Sequence, residues 1–559
     1  MGTPLRVAGP AVLRRAGAEP LARFGVSICG MNSMALAGSA QDRAGFSDRA
    51  TQPRYNSPVT SREPAVDVLV VGSGNAAMAA AVAARAEGAS VLMIEKGPRE
   101  AVGGNSFFSG GGFRFAYDGI DDVRRLIPDL SPAELAAVDV GSYSAGQYHD
   151  DLLRVTEGLA DAELAQRLVD ESLSAMLWMR DRGIRWALMT GRQAFRAGAV
   201  YRFWGGLTVE AVGGGPGLIQ RWLEIAEAVG IRIRFDSAAT SLLQDVSGAV
   251  TGVRVRTPAG FEDLRARAVV LACGGFEANP EMRVRYLGPG WDVAKVRGSR
   301  YNTGDGIGMA LAVGAQAYGQ WSGCHAVAWD ANAPPFGNRA VGDLYQKHSY
   351  PLGIMVNVRG ERFVDEGADY RNYTYAKYGR EILKQPRSLA FQVFDEKTRG
   401  FLRDEYRIAR VTKATAESIE ELADALGIEP DSLVRTVAAY NAGVQPGDFD
   451  PSVLDGKRTV GIDPPKSNWA LPIDTPPYLG FAVTCGITFT FGGLRIEPGT
   501  GQVLDTSDRL LAGLYAAGEL VGGLFWHNYP GGAGLMAGSV FGRNAGVAAA
   551  RAAQGQSAG

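Results

Sequence analysis

Cysteine is scarce in this chain: Cys29, Cys273, Cys324 and Cys485 are far apart and form no CxxC pair. That excludes a zinc-cysteine cluster and a disulfide framework, and fits a reducing cytoplasm. Histidine is equally sparse, with His149, His325, His348 and His527 the whole complement. No His-Glu-x-x-His string is present, so no metal is expected, and no Gly-x-Ser-x-Gly elbow comes with a partnered histidine for hydrolysis. No apolar run reaches the ~18 residues that a membrane helix needs, so stable membrane insertion is not expected. A formal charge of -2 supplies no field for a polyanion, which argues against nucleic acid.

What the chain does have is length and glycine. Its 559 residues exceed what one hydrophobic core usually supports, and 46% apolar with 21% charged residues is ordinary globular usage. The 74 glycines are the outlier, and they suggest turns where backbone closely approaches a ligand. Residues 1–63 are rich in Arg, Ala, Ser and Gly and lack a sustained period. They read as a disordered extension, with a targeting peptide or an overlong gene start as alternatives.

Patterned sequence begins at Val66-Asp67-Val68-Leu69-Val70-Val71, a β-branched run of strand length. Gly72-Ser73-Gly74-Asn75-Ala76-Ala77 follows, then an alanine-rich helix through about Glu87 and a second strand from Ser90 to Ile94, closing on Glu95 and Lys96. Strand, glycine turn, helix, strand and acid in that order predict a dinucleotide site. Gly72 permits the turn, Gly74 admits a pyrophosphate, small Ala77 packs the helix on the strand, and Glu95 accepts from a ribose hydroxyl. The alternative is an ordinary glycine-rich turn.

Later segments favour FAD over NAD. The loop Gly103-Gly104-Asn105-Ser106-Phe107-Phe108-Ser109-Gly110-Gly111-Gly112 would be costly to order unless an extended ligand lay along it. A buried strand, Ala268 to Ala272, ends at Cys273-Gly274-Gly275, and Asn302-Thr303-Gly304-Asp305-Gly306 opens a helix. Near the end, Glu519 follows a short strand and can hold ribityl hydroxyls. Gly531-Gly532-Ala533-Gly534, continuing into Leu535, begins a terminal helix whose N-terminus can face the flavin.

From Val66 to about Ala550 the chain resembles the fumarate reductase and succinate dehydrogenase flavoprotein superfamily, which also contains the ketosteroid 1-dehydrogenases. The strings Asn357 to Tyr375 and Phe525-Trp526-His527-Asn528-Tyr529-Pro530-Gly531-Gly532 look most like its tricarballylate dehydrogenase branch. The resemblance implies an α/β fold: a Rossmann-type FAD-binding domain in two segments, 64–318 and 484–552, with an inserted α+β capping domain at 319–483 and a tail at 553–559. It implies oxidation of a carbon-carbon single bond, tricarballylate to cis-aconitate, at the junction of the two domains. It also implies noncovalent FAD, because the 103–112 loop lacks the histidine to which membrane succinate dehydrogenases attach flavin. With no heme attachment motif in the chain, electrons would pass to a separate iron-sulfur acceptor protein, possible at the membrane periphery.

Within that frame His325 is expected to anchor substrate. Fumarate reductases place a proton-transferring arginine eight residues after the arginine of their RFxxE motif. Counting from Arg362, that position is Tyr370, and Arg371 follows it, so either can take the role. Ketosteroid dehydrogenases have tyrosine there, and a surface pair of Arg371 with Asp369 is the non-catalytic reading. Thr488-Phe489 and Tyr529 stand where fumarate reductases carry a histidine pair and a carboxylate-gripping arginine. His527 could restore a cation, while Phe489, Phe491, Phe525 and Trp526 suggest a partly apolar wall. Fumarate reductase-like chemistry, ketosteroid dehydrogenase-like chemistry at Tyr370 and Tyr529, and a flavin electron carrier are the alternatives.

Overall fold

The computed structural model describes residues 66–203 and 206–555. The expected extension at 1–63 lies outside the described residues, as do Cys29 and the last four residues of the tail.

β-Branched and apolar side chains that are buried on both faces build the central parallel strands. Strand β1 (Val66–Val71) pairs in parallel with β2 (Val91–Ile94) and with β3 (Gly260–Leu271). The register is fixed by Val70 opposite both Met93 and Val270. Arg232–Arg234 extends the sheet beyond β2. The N-terminal part of β3 forms an antiparallel meander with Ala238–Gln244 and Val250–Thr257. Its C-terminal end instead accepts Leu514 to Ala516 from the far end of the chain, in parallel. The eight-stranded sheet thus takes strands from both ends of the sequence.

A six-stranded sheet is built around the long strand β4 (Tyr478–Thr490). Cys324–Asp330, Ala390–Phe394 and Lys413–Ala416 pair antiparallel with it, and Lys295–Val296 in parallel. A bulge between His325 and Ala326, opposite Phe489, breaks the pairing where β4 reaches the first sheet.

Helix α1 (Asn75–Ala86) starts directly after Gly74. It packs on the terminal helix α2 (Ala533–Ala553) at very short range, because α2 presents glycine to it. A Cβ at Gly542 would lie 2.6 Å from the Ala76 carbonyl, and one at Gly546 only 2.1 Å from that of Ala80. Asn75 pins the contact: its Nδ2 donates to Leu535 O (3.0 Å) and Ser539 Oγ (2.9 Å), and its Oδ1 accepts from Trp222 Nε1 (2.9 Å).

The 103–112 loop, expected to need an extended ligand for its order, is partly ordered by its own backbone. Gly104–Phe107 forms a helical turn, with the Phe107, Phe108 and Ser109 amides satisfied by the carbonyls of Gly103, Asn105 and Ser106. Local hydrogen bonds therefore order much of what a ligand was expected to order.

Candidate functional site

One continuous cavity runs from the β1–α1 turn to the end of β4. At its first end the chain turns at Gly72 (φ +114°), and Gly74 caps α1 in an extended conformation. Ser73 Oγ donates to Glu95 Oε2 at 2.6 Å, and Glu95 Oε1 accepts from the Gly97 amide at 2.8 Å, so the strand-terminal acid is held at the cavity wall. Lys96 Nζ donates to Thr303 Oγ1 and to Asp305 Oδ2 (2.6 Å), closing the β2 end onto the Asn302–Gly306 turn. Gly104, Ser106, Gly110 and Gly111 line the same cavity, as do Ala272, Gly274, Glu519, Gly534 and Leu535. Asn75, Ala76 and Asn105 line it too. The Asn105 side chain is committed to protein: it donates to Glu277 Oε1 and Thr488 O (both 2.6 Å) and accepts from the Ser299 amide at 2.8 Å.

Glu277 escaped the sequence reading. It is fully buried, and its Oε1 accepts from the Asn105 and Asn302 side-chain amides at 2.6 and 2.7 Å. Glu519 is its partner, with Oε1 accepting from the Thr490 amide at 2.8 Å. Burial, then the facing Glu519 charge, pushes the Glu277 carboxyl well above the usual carboxylate range. The signal was faint: one acid between Phe276 and Ala278, two residues beyond a glycine turn.

The other end of the cavity is aromatic and cationic. His325, 1% exposed, has its ring centroid 4.7 Å from that of Tyr529, 4.9 Å from Tyr375 and 5.2 Å from Phe489. Neither ring nitrogen has a protein partner. Burial, reinforced by Arg297, holds its pKa well below the usual histidine range, so it faces the cavity neutral. The Tyr375 and Tyr529 hydroxyls hydrogen-bond to each other. Phe489, Phe491 and Phe525 line the wall, whereas Trp526 is absent from the lining and donates to Gly523 O.

The adjacent pair Tyr370 and Arg371 is split by the backbone. Tyr370 caps the turn Arg371–Tyr373 and points away from the cavity, its ring 6.0 Å from Trp469. Arg371 turns inward, with its guanidinium 5.2 Å from the Tyr375 ring centre and Nε and Nη2 buried without a hydrogen-bond partner. The surface pair with Asp369 does not form, because Asp369 bonds Arg154 at 2.6 Å. His527 is likewise not in the cavity lining. Its backbone adopts φ +58°, and Gln320 clamps it through the amide (2.6 Å) and Nδ1 (3.0 Å), so it brings no cation to the wall. Instead Arg297, which sequence reasoning passed over, reaches Thr488 Oγ1 at 3.2 Å. Arg192 and Arg403 were passed over as well, and both line the cavity. All three lie in segments without recognisable spacing.

Residues 67–535 match the model of the FAD binding domain family. The chain belongs to that family. NADH:fumarate oxidoreductase of Klebsiella pneumoniae (strain 342) is 29% identical over 88% of this chain and 48% of its own, so this chain spans about half of that relative. Vinyl phenol reductase of Lactiplantibacillus plantarum is 28% identical, over 88% of this chain and 97% of its own. Among solved structures, the 3-ketosteroid-Δ4-(5α)-dehydrogenase of Rhodococcus jostii RHA1 in complex with 4-androstene-3,17-dione superposes with a TM-score of 0.63. It is 26% identical, over 88% of this chain and 98% of that one.

This FAD binding domain protein has an α/β flavoprotein fold, and FAD is its cofactor. The glycines fit that group. A Cβ on Gly104 would meet nothing within 4 Å, and one on Gly74 only Ser106 Oγ at 3.5 Å and Gly103 O at 3.7 Å. The protein itself leaves room at both positions, and both face the cavity. Among the described residues no cluster of His, Cys, Asp or Glu is placed to hold a metal ion, and no helix is long and apolar enough to cross a membrane.

Proposed function

We propose that this FAD-dependent oxidoreductase oxidises a carbon-carbon single bond of a small polycarboxylate, with tricarballylate to cis-aconitate as the reaction. One observation carries the reading: the substrate end of the cavity holds Arg192, Arg297, Arg371 and Arg403, against Asp343 as the carboxylate in that part of the lining. Asp343 is shared by Arg297 (2.6 Å) and Arg192 (3.1 Å), and no ion pair reaches Arg371 or Arg403 among the described residues. Partly buried guanidiniums without counter-ions are costly, and a ligand carrying several carboxylates relieves that cost.

The turn Gly72–Ala76, Glu95, the 104–111 loop, Glu519 and the Gly534–Leu535 turn would hold FAD noncovalently. FAD held there would supply an isoalloxazine ring as the hydride acceptor. Arg297, kept charged by Asp343, binds one substrate carboxylate. Neutral His325 supplies hydrogen bonds that orient the chain of the substrate. Arg371, whose pKa burial lowers, removes the proton from the carbon next to the one that loses hydride, and the double bond forms between them. The aromatic wall of Phe489, Phe491 and Phe525 excludes water. We place the protein in the cytoplasm, with an iron-sulfur protein as electron acceptor.

The Tyr375–Tyr529 hydroxyl pair favours a second reading, in which a phenol polarises the carbonyl of a 3-ketosteroid. Anaerobic addition of substrate to the yellow holoenzyme separates the two. Tricarballylate should bleach the flavin, and Arg371→Ala should slow bleaching by on the order of 10²–10⁴-fold without releasing FAD. Bleaching by a 3-ketosteroid and by no polycarboxylate would transfer the assignment to the second reading.

A further inference from the structure

Arg192 and Arg403 approach the cavity from different parts of the chain. Arg192 lies on the short turn Thr190–Gln193, and its Nη1 rests against Gly110, where a Cβ would come within 2.5 Å. Arg403 precedes the turn Asp404–Tyr406, and its amide donates to Ser349 Oγ at 3.2 Å, which fixes the loop. The Arg403 guanidinium donates to the backbone carbonyl of Arg192, so the two residues are clasped together.

Their charges are poorly answered by protein. Arg192 has only a share of Asp343, which also holds Arg297. Arg403 has no ion pair within 4 Å among the described residues. Glu405 is the acid whose charge favours Arg403, while Arg371 and Arg192 oppose it, and burial with that repulsion pushes the Arg403 pKa down to about 9. It is still a cation at neutral pH. At this end of the cavity Arg192, Arg297 and Arg403 face the single carboxylate of Asp343, an excess of positive charge that the carboxylates of a ligand would answer.

We infer that Arg192 and Arg403 form a second anion subsite, which takes a carboxylate remote from the bond that reacts and so selects tricarboxylates over dicarboxylates. The inference rests on the polycarboxylate reading. Arg371 and His325 face the reacting carbons, and the Arg192–Arg403 clasp reads the additional carboxylate by charge-assisted hydrogen bonds.

The test is titration of flavin absorbance in the holoenzyme, comparing tricarballylate with 2-methylsuccinate, which keeps the carboxylates on the two reacting carbons and lacks the remote one. The native protein should bind tricarballylate at least about tenfold tighter, the loss expected for one charge-assisted contact. Arg403→Gln and Arg192→Gln should each weaken tricarballylate by roughly 10–100-fold and change 2-methylsuccinate by less than about threefold. Arg403→Lys should restore part of the preference, and an unchanged FAD content shows that the variants are folded. Equal loss for both acids, or no loss for either, overturns the subsite while leaving the polycarboxylate reading intact. No response of the native flavin to any polycarboxylate overturns that reading and the subsite with it.

Discussion

At Gly72 a Cβ would lie 2.4 Å from the Ala272 carbonyl oxygen, in a backbone with φ +114°, whereas at Gly74 it would make only ordinary contacts. Two glycines of one motif therefore differ: the first is demanded by the fold, while the second leaves open space beside the cavity. Gly72→Ala should destabilise the protein by about 1–3 kcal/mol or more, through both strain and backbone overlap. Gly74→Val should leave the unfolding midpoint of the apoprotein nearly unchanged yet prevent reconstitution, read from the ratio of flavin to protein absorbance. A Gly74→Val protein that binds FAD normally would remove the pyrophosphate from this turn. At the same scale Arg371 lines the cavity and Tyr370 does not. The residues are neighbours in sequence, and only the turn Arg371–Tyr373 decides which of them enters the cavity.

Among elements, the pairing of α1 with α2 couples the cofactor turn to the end of the chain. Gly538, Gly542 and Gly546 recur every four residues on α2 and face α1. Gly546→Leu should push the helices apart and cost about 1–3 kcal/mol in urea unfolding. Because the N-terminal turn of α2 lines the cavity at Gly534 and Leu535, FAD occupancy should fall with it. Normal occupancy together with lost stability would show that the two ends of α2 act independently. The strand-turn-helix opening was legible from sequence because β1 and α1 are local patterns: β1 has the bounds read for it, while α1 begins at Asn75, inside the glycine string read as preceding it, and ends at Ala86. The helical turn Gly104–Phe107 was not legible, since a run of glycine, serine and phenylalanine carries no helical period.

For the molecule as a whole, buried histidine ties stability to pH. His348 is 1% exposed, and burial, with Arg371 and Arg297 nearby, holds its pKa well below 6.5. The unfolded chain therefore binds a proton near pH 6.5 that the folded chain refuses. Stability from this group is complete above that pH and declines as pH falls below it, by roughly 1 kcal/mol per pH unit. His348→Asn should flatten the fall measured by urea unfolding between pH 6 and pH 5 by that amount. An unaltered slope would mean that His348 is protonated in the folded protein.

The sequence by itself determined the dinucleotide turn, the flanking strands and the acids at their ends, because close backbone approach and a buried parallel strand each demand residue types at adjacent positions. Gly72, Gly74, Asn75, Glu95, Asn105, Gly274, Asp305, Glu519 and Gly534, all expected along the cofactor, line one cavity. At the substrate end the sequence pointed to His325, Arg371, Tyr529 and the phenylalanine wall, which line the cavity, but the charges around them were decided by tertiary structure. Arg192, Arg297 and Arg403 come from three separate segments, His527 is turned aside by Gln320, and Glu277 is buried facing Glu519, more than 200 residues away in sequence. Charge compensation in a cavity depends on which side chains meet across space, and no local period encodes that.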